Sequence, residues 1–261
     1  MTDQNQRAAP TGRVALVTGA GRGIGRVTAR TLAARGDGVM AVSRTESELR
    51  HLEQETGIPY IVETVGTPEG CEHIIEEATA RLGPIDILVN NAGVLSDRER
   101  AIWDADPQVW HEVFAINLHG PFELIRRASR GMIDRGFGRI VIVSSSAGEF
   151  GVAGQPAYCA SRNGLLGLMR AVAQDVGAHG VTCNAVLPGW TKTQMADDLV
   201  TQTARATGAS FDQAWADAVA AYPAQRAVDP QEVADTIAFL SSDGASGING
   251  EATTIALGGI W

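Results

Sequence analysis

Cysteine, proline and positive charge are scarce in this chain, and long apolar runs are missing. Only Cys71, Cys159 and Cys183 occur among 261 residues. An odd count without CxxC spacing excludes a disulfide framework or a cysteine zinc site as the expected reading. Structural thiols in a reducing, cytoplasmic setting are expected instead. His51, His73, His111, His119 and His179 have no metal-ligand spacing, so no metal is expected. The 10 prolines are too few for a Pro-rich disordered chain. Lys and Arg total 21 against 30 Asp and Glu, a net charge of −9. Such a chain lacks the broad positive field that holds nucleic acid, and anionic membranes repel it. Any phosphate-bearing ligand must then be held by a local site. No apolar run approaches the roughly 18 residues of a membrane span. Residues 1–12 are polar with no apolar centre, and read as a short mobile tail rather than a signal peptide.

Glycine is what the chain has in excess: 30 residues, with 44% hydrophobic residues beside them. Near-continuous apolar runs recur at Val14–Val17, Val39–Val42, Tyr60–Val65, Ile85–Val89, Arg139–Val143, Val181–Val186 and Thr253–Leu257. Strands buried on both faces of a parallel sheet read this way. Helical patterns separate them at about 24–35, 45–56, 69–82, 107–135, 157–179 and 230–241. Thr45 and Glu48 stand in a capping-box arrangement, Gly36 and Gly57 follow helices, and Pro107 and Pro230 suit first helical turns. The prediction is an α/β fold: a doubly wound Rossmann sheet of about seven parallel strands, with helices on both faces. Residues 13–261 form one domain in this reading, since no linker, repeat or composition break divides them. An Ala-rich helical stretch at about 194–226, with no strand of its own, is a candidate substrate lid.

The glycines concentrate where the first strand meets the first helix, as Gly19-Ala20-Gly21-Arg22-Gly23-Ile24-Gly25. A strand, a tight turn and a helix N-terminus offer free N–H groups and a partial positive charge to an anion. The Gly-x-x-x-Gly-x-Gly spacing resembles that of the short-chain dehydrogenase/reductase family. Further family motifs follow in order: Asn90-Asn91-Ala92-Gly93, Asn117, Ser144-Ser145-Ser146, Tyr158 with position 162, and Pro188-Gly189. The resemblance spans about residues 12 to 259. Each motif alone is weak, but they fall in sequence at strand ends, where ligands bind in such sheets.

The resemblance implies hydride transfer between a nicotinamide and a ketone or secondary alcohol. It makes Tyr158 the acid/base, places carbonyl positioning at Ser145, and puts a water relay at Asn117. Ser145 stands thirteen residues before Tyr158, the family distance; Ser144 and Ser146 are its neighbouring alternatives. The chain departs from the family at Arg162, where a lysine is usual. That lysine bonds the nicotinamide ribose and lowers the tyrosine pKa from about 10. Arginine four residues on shares the helix face and the charge, but it is longer, planar and permanently protonated. Two outcomes stay open: a working enzyme with Arg162 in the lysine role, or a nucleotide-binding protein with little turnover that acts as a regulator or oligomer partner.

The second strand ends in Ser43-Arg44 rather than an acidic residue, and Arg22 sits in the glycine loop. Two guanidiniums near the adenosine ribose favour NADP over NAD. Thr64 and Val65 occupy the adenine side, where the family usually has Asp. Asn91, Ala92 and Gly93, with Pro188, Gly189, Thr191 and Thr193, complete the expected cofactor contacts, the Thr191 backbone being preferred; for the segment from Pro188 to Thr193 an ordinary helix N-cap is the competing reading. Glu149, Phe150, Gln155, Trp190, Met195, Phe211, Trp215 and Tyr222 are the candidate substrate side chains, suiting a partly apolar, bulky ketone. The resemblance also implies a homodimer or homotetramer, built through the helices bearing Asn117 and Tyr158 and the C-terminal strand. At that end Leu257 replaces the family Asp before Gly258-Gly259.

Overall fold

The computed structural model describes residues 12–96 and 98–259. The expected tail, apart from Gly12, and the last two residues lie outside that range. Seven strands are assigned: β1 (Val14–Thr18), β2 (Gly38–Ser43), β3 (Tyr60–Val62), β4 (Ile87–Asn90), β5 (Gly138–Val143), β6 (Val181–Pro188) and β7 (Ala252–Ile255). They form one parallel sheet in the order β3-β2-β1-β4-β5-β6-β7. The chain leaves β1 toward one edge and returns beside it as β4, so the strand order reverses between them. A crevice opens at such a switch point, at the carboxyl ends of the strands.

Side-chain alternation along each strand feeds two cores. Leu16, Met40, Leu88 and Ile140 face the core shared with α3 (Pro68–Leu82), the helix over Gly120–Arg135 and the helix over Pro156–Val176. Ala15, Val17, Ile87 and Val141 face the other, with α1 (Gly23–Ala34) and α2 (Glu46–Thr56). All of these strand residues are fully buried. That explains why the strands read as unbroken apolar runs.

The predicted helix over 107–135 is two helices. α4 (Pro107–Phe114) and α5 (Gly120–Arg135) flank a π-helical turn at Ala115–His119. Pro121, which has no N–H to give, falls at the start of α5. The later helix, α6, runs Pro156–Val176 and ends in a 3₁₀ turn at Gly177–His179. The lid stretch folds as α7 (Gln194–Thr207) and α8 (Phe211–Val219) around a small core of its own.

The Thr45–Glu48 capping box does not form: Thr45 is the N-cap of α2, but its side chain accepts no bond. Glu48 turns toward the glycine loop instead, within 3.9 Å of Arg22. A complete capping box occurs at α9 (Pro230–Leu240), between Asp229 and Glu232. Glu232 also accepts two bonds from Arg226, at 2.9 and 2.7 Å. The Arg226 bonds and the Asp229 N–H lower its pKa to about 2. Stability from this group is therefore present above its unfolded pKa, about 4.3, and lost as pH falls toward 2. The pair is well exposed, so solvent screening keeps the effect small. Glu232→Gln should destabilise the protein by about 0.5 kcal/mol at neutral pH. Urea unfolding across pH should show that gap closing below about pH 4; a gap that persists in acid would refute the assignment.

Candidate active site

A cavity of about 520 Å³ occupies the crevice, a size typical of cofactor and ligand sites. Thr18, at the end of β1, organises its floor. Its hydroxyl accepts bonds from the N–H groups of Asn91 and Ala92, both at 3.0 Å, and donates to Val89 O at 3.3 Å. The Asn91 amide donates to Thr18 O at 2.9 Å. These bonds tie β1 to β4 at the switch point. Sequence reasoning missed Thr18, whose role is visible only once the two strands are paired.

Gly19 and Gly23 have positive φ, +65° and +55°, which lets the chain turn tightly from β1 into α1. Gly25 does not line the cavity. A side chain there would strike Gly19 O and the Asn91 amide. Gly21 is also off the wall: its added Cβ would lie 2.5 Å from Glu48 Oε2. These two glycines serve close packing, while Gly19, Arg22, Gly23 and Ile24 line the cavity.

Ser43, Arg44, Thr64, Val65, Asn91, Ala92, Gly93, Ser145, Tyr158, Arg162, Pro188, Gly189, Thr191 and Thr193 all line the same wall. Thr193 caps α7, accepting from Ala196 N at 3.4 Å, so the helix-cap role holds for its hydroxyl. Thr191 is 5% exposed, and its hydroxyl donates to Gly189 O at 3.0 Å. Glu48, near Arg22, and Glu63 also line the cavity and were not expected. Glu63 directly follows β3, a position that could have flagged it, whereas Glu48 lies in the first turn of α2.

α6 brings Tyr158 and Arg162 to one face, as the four-residue spacing requires. Arg162 is 4% exposed. One guanidinium nitrogen donates to Val143 O at 3.1 Å, and its carbon lies 5.0 Å from the centre of the Tyr158 ring. Nε has no partner, and none of the ion pairs among the described residues includes Arg162. Its other face presses on Gly93, where an added Cβ would lie 3.0 Å from the guanidinium carbon. A buried cation with no carboxylate is costly to maintain. Its placement therefore points to a polar ligand.

Ser145 accepts from Ala147 N at 3.1 Å, which leaves its own O–H free to donate into the cavity. Ser144 is committed elsewhere, donating to Arg162 O at 2.9 Å. Asn117 sits behind the wall, fully buried in the π turn. Its amide donates to Val94 O at 2.9 Å and Ser161 Oγ at 3.1 Å, and accepts from Val94 N at 2.8 Å. Ser161 in turn donates to Tyr158 O at 2.8 Å. Asn117 thus straps the loop after β4 to the tyrosine helix; both amide hydrogens are taken, and the residue does not face the cavity.

Of the candidate substrate side chains, Phe150, Gln155, Trp190 and Met195 line the cavity. Glu149, Phe211, Trp215 and Tyr222 do not. Trp215 donates to Asp197 at 2.9 Å and packs edge-on to Trp190. The Tyr222 hydroxyl accepts from Trp190 N at 2.8 Å, while burial raises its pKa. These rings hold the lid together. The three cysteines are free. Burial pushes the Cys71 thiol up to about 11 and Cys183 up to about 12, which keeps both protonated.

A family model described as enoyl-(acyl carrier protein) reductase matches residues 19–259. The chain belongs to the short-chain dehydrogenase/reductase family. This family member is 39% identical over 248 residues to acetoacetyl-CoA reductase of Rhizobium meliloti, covering 95% of this chain and 97% of the relative. It is 36% identical over 242 residues to the 3-oxoacyl-[acyl-carrier-protein] reductase FabG of Escherichia coli, covering 92% and 94%. The crystal structure of an actinorhodin polyketide ketoreductase variant with NADPH superposes with a TM-score of 0.91 at 33% identity, covering 97% and 100%. The short-chain dehydrogenase/reductase fold is thus present from the glycine loop to the last strand. Among the described residues, no helix is long and apolar enough to cross a membrane.

Proposed function

We propose that this chain is an NADP(H)-dependent carbonyl reductase acting on a neutral, largely apolar ketone or the matching secondary alcohol. The observation that carries this reading is Arg162: a buried guanidinium without a carboxylate, on the cavity wall between Tyr158 and Gly93. The ribose hydroxyls of a dinucleotide would satisfy it. The glycine loop and the α1 N-terminus would take the pyrophosphate. Bound nicotinamide supplies the hydride. Ser145 donates a hydrogen bond to the carbonyl oxygen, and Tyr158 gives or takes the proton. The similar ketoreductase structure was solved with NADPH, which supports the same cofactor here.

The substrate end is built from Val94, Leu95, Phe150, Val152, Trp190 and Met195. Arg22, Arg44, Glu48 and Glu63 come from the loop after β1 and the segments after β2 and β3, at the adenosine side. Among the described residues that line the cavity, Arg162 is the charge beside Tyr158, and the ribose hydroxyls would occupy it. A carboxylate-bearing substrate would leave its charge unpaired there, which is why a neutral ketone fits best.

The test is NADPH oxidation with a panel of neutral ketones, for the wild type and Arg162→Lys. Turnover by the wild type supports the proposal. A silent wild type that binds NADPH, with rate appearing in Arg162→Lys, overturns it in favour of a nucleotide-binding protein without turnover. Arg22 and Arg44 carry the cofactor preference. Replacing both by Ala should raise the KM for NADPH about tenfold to a hundredfold, from the loss of charge-assisted bonds to the 2′-phosphate, and leave NADH kinetics little changed. Equal losses with both cofactors would remove these arginines from 2′-phosphate recognition. A homodimer or homotetramer, joined through α5 and α6, is part of the same proposal; light scattering that finds a monomer would remove it.

A further inference from the structure

The helix that bears Tyr158 begins without a cap of its own. Its N-cap residue, Gln155, makes no side-chain bond to the helix, and Pro156 at the first position has no N–H. The orphan donors are the N–H groups of Ala157 and of Tyr158 itself. Both are met by one side chain from far away in the sequence. Glu99 Oε2 accepts from Ala157 N at 3.0 Å and from Tyr158 N at 3.3 Å. The other oxygen, Oε1, is buried without a partner. The carboxylate is thus committed to the helix end, where negative charge is favoured by the helix dipole.

The segment that carries Glu99 matters as much as the bonds. It leaves β4 through Asn91, Ala92 and Gly93 on the cofactor side. It then lines the substrate end with Val94 and Leu95, held from behind by Asn117. Four residues later it delivers Glu99 to the start of α6. One loop therefore touches the expected cofactor site, the substrate wall and the amide of the acid/base residue.

We propose that Glu99 is a positioning residue for the reaction: its carboxylate, by binding the main-chain N–H of Tyr158, sets where the tyrosine hydroxyl stands relative to Ser145 and Arg162. This rests on the reductase reading, so the test has one arm that does not depend on turnover. Burial raises the pKa of this carboxyl, while the two main-chain bonds pull against that shift. The two main-chain N–H groups are what favours the charged form there, against the burial that disfavours it.

The experiment uses the full chain as Glu99→Ala and Glu99→Gln, the latter keeping one acceptor oxygen. Hydrogen exchange is measured at residues 157 and 158. Steady-state kinetics and NADPH binding are measured in parallel. In Glu99→Ala, exchange at those amides should rise, kcat should fall about tenfold to a hundredfold, and the NADPH Kd should stay within about twofold, since small misplacements of a reacting group weigh on the chemical step. Glu99→Gln should recover most of kcat. Unchanged exchange at 157–158 overturns the proposal whether or not the wild type turns over. A kcat in Glu99→Ala within about twofold of wild type also overturns it. So does a parallel fall of kcat and bound NADPH, which would mark loss of folded protein rather than of position. A wild type that turns nothing over refutes the reductase reading, and exchange then decides the cap by itself.

Discussion

Tyr158→Phe should lower kcat about 10²- to 10⁴-fold, the range associated with a lost proton donor, while NADPH binds as before. The substitution removes one oxygen and keeps the ring, so the ring face against the Arg162 guanidinium, 5.0 Å from its centre, is retained. The ring lies at the cavity wall rather than in the closed core, so folding stability should change by less than about 1 kcal/mol. Both carriers of the carbonyl interaction are separable here. Ser145 keeps its own hydroxyl free in the variant, so orientation survives and proton transfer does not. Steady-state rates with a neutral ketone, beside NADPH fluorescence titration and thermal melting, check all three statements. Turnover within about tenfold of wild type would place the acid/base elsewhere. Loss of NADPH binding would mean the phenol helps to hold the cofactor.

Much of this site was legible because its parts are local. The glycine loop reads from a strand buried on both faces running straight into a helix. Tyr158 and Arg162 read from the family motif, whose four-residue spacing puts both on one helix face. The strands read because each of their faces meets a separate helix layer, leaving no polar alternation to blur them. What stayed hidden depends on contacts distant in sequence. Glu99 sits in an irregular segment with no periodicity, and its partners lie 58 and 59 residues away. Thr18 looks like an ordinary strand-end threonine until β4 is laid beside β1. The break at Ala115–His119 interrupts a helical pattern whose two halves are both amphipathic, and Pro121 was the available sign of it. Thr45 and Glu48 have capping-box chemistry, but Glu48 is drawn to the glycine loop. The aromatics of the 194–226 stretch could not be divided by composition alone into cavity wall and lid core. Trp215 and Tyr222 have polar atoms that find partners at Asp197 and at Trp190 N, and neither ring lines the cavity.

Gly93→Ala should be strongly destabilising in this chain, and the reason is the arginine at position 162. A Cβ at position 93 would overlap one guanidinium nitrogen and lie 3.0 Å from the guanidinium carbon. The side chain has little room to withdraw. It is 4% exposed, bonded to Val143 O on β5, and anchored through its carbonyl by Ser144. Overpacking of this kind costs about 1–3 kcal/mol, with the further loss of a buried hydrogen bond if the guanidinium swings away. Lysine presents a single nitrogen on a flexible stem in place of a planar fork. In an Arg162→Lys background the same Gly93→Ala change should therefore cost much less. The double-mutant cycle should give a coupling of about 1–2 kcal/mol, within the range for residues in direct contact. Urea unfolding of the four proteins without added cofactor measures it, free of any effect on catalysis. Additive changes would mean that the guanidinium does not rest on Gly93. A coupling of the expected sign would tie the glycine of the Asn-Asn-Ala-Gly motif to the shape of the buried cation it faces, and would place Arg162 against the cavity wall before any ligand arrives.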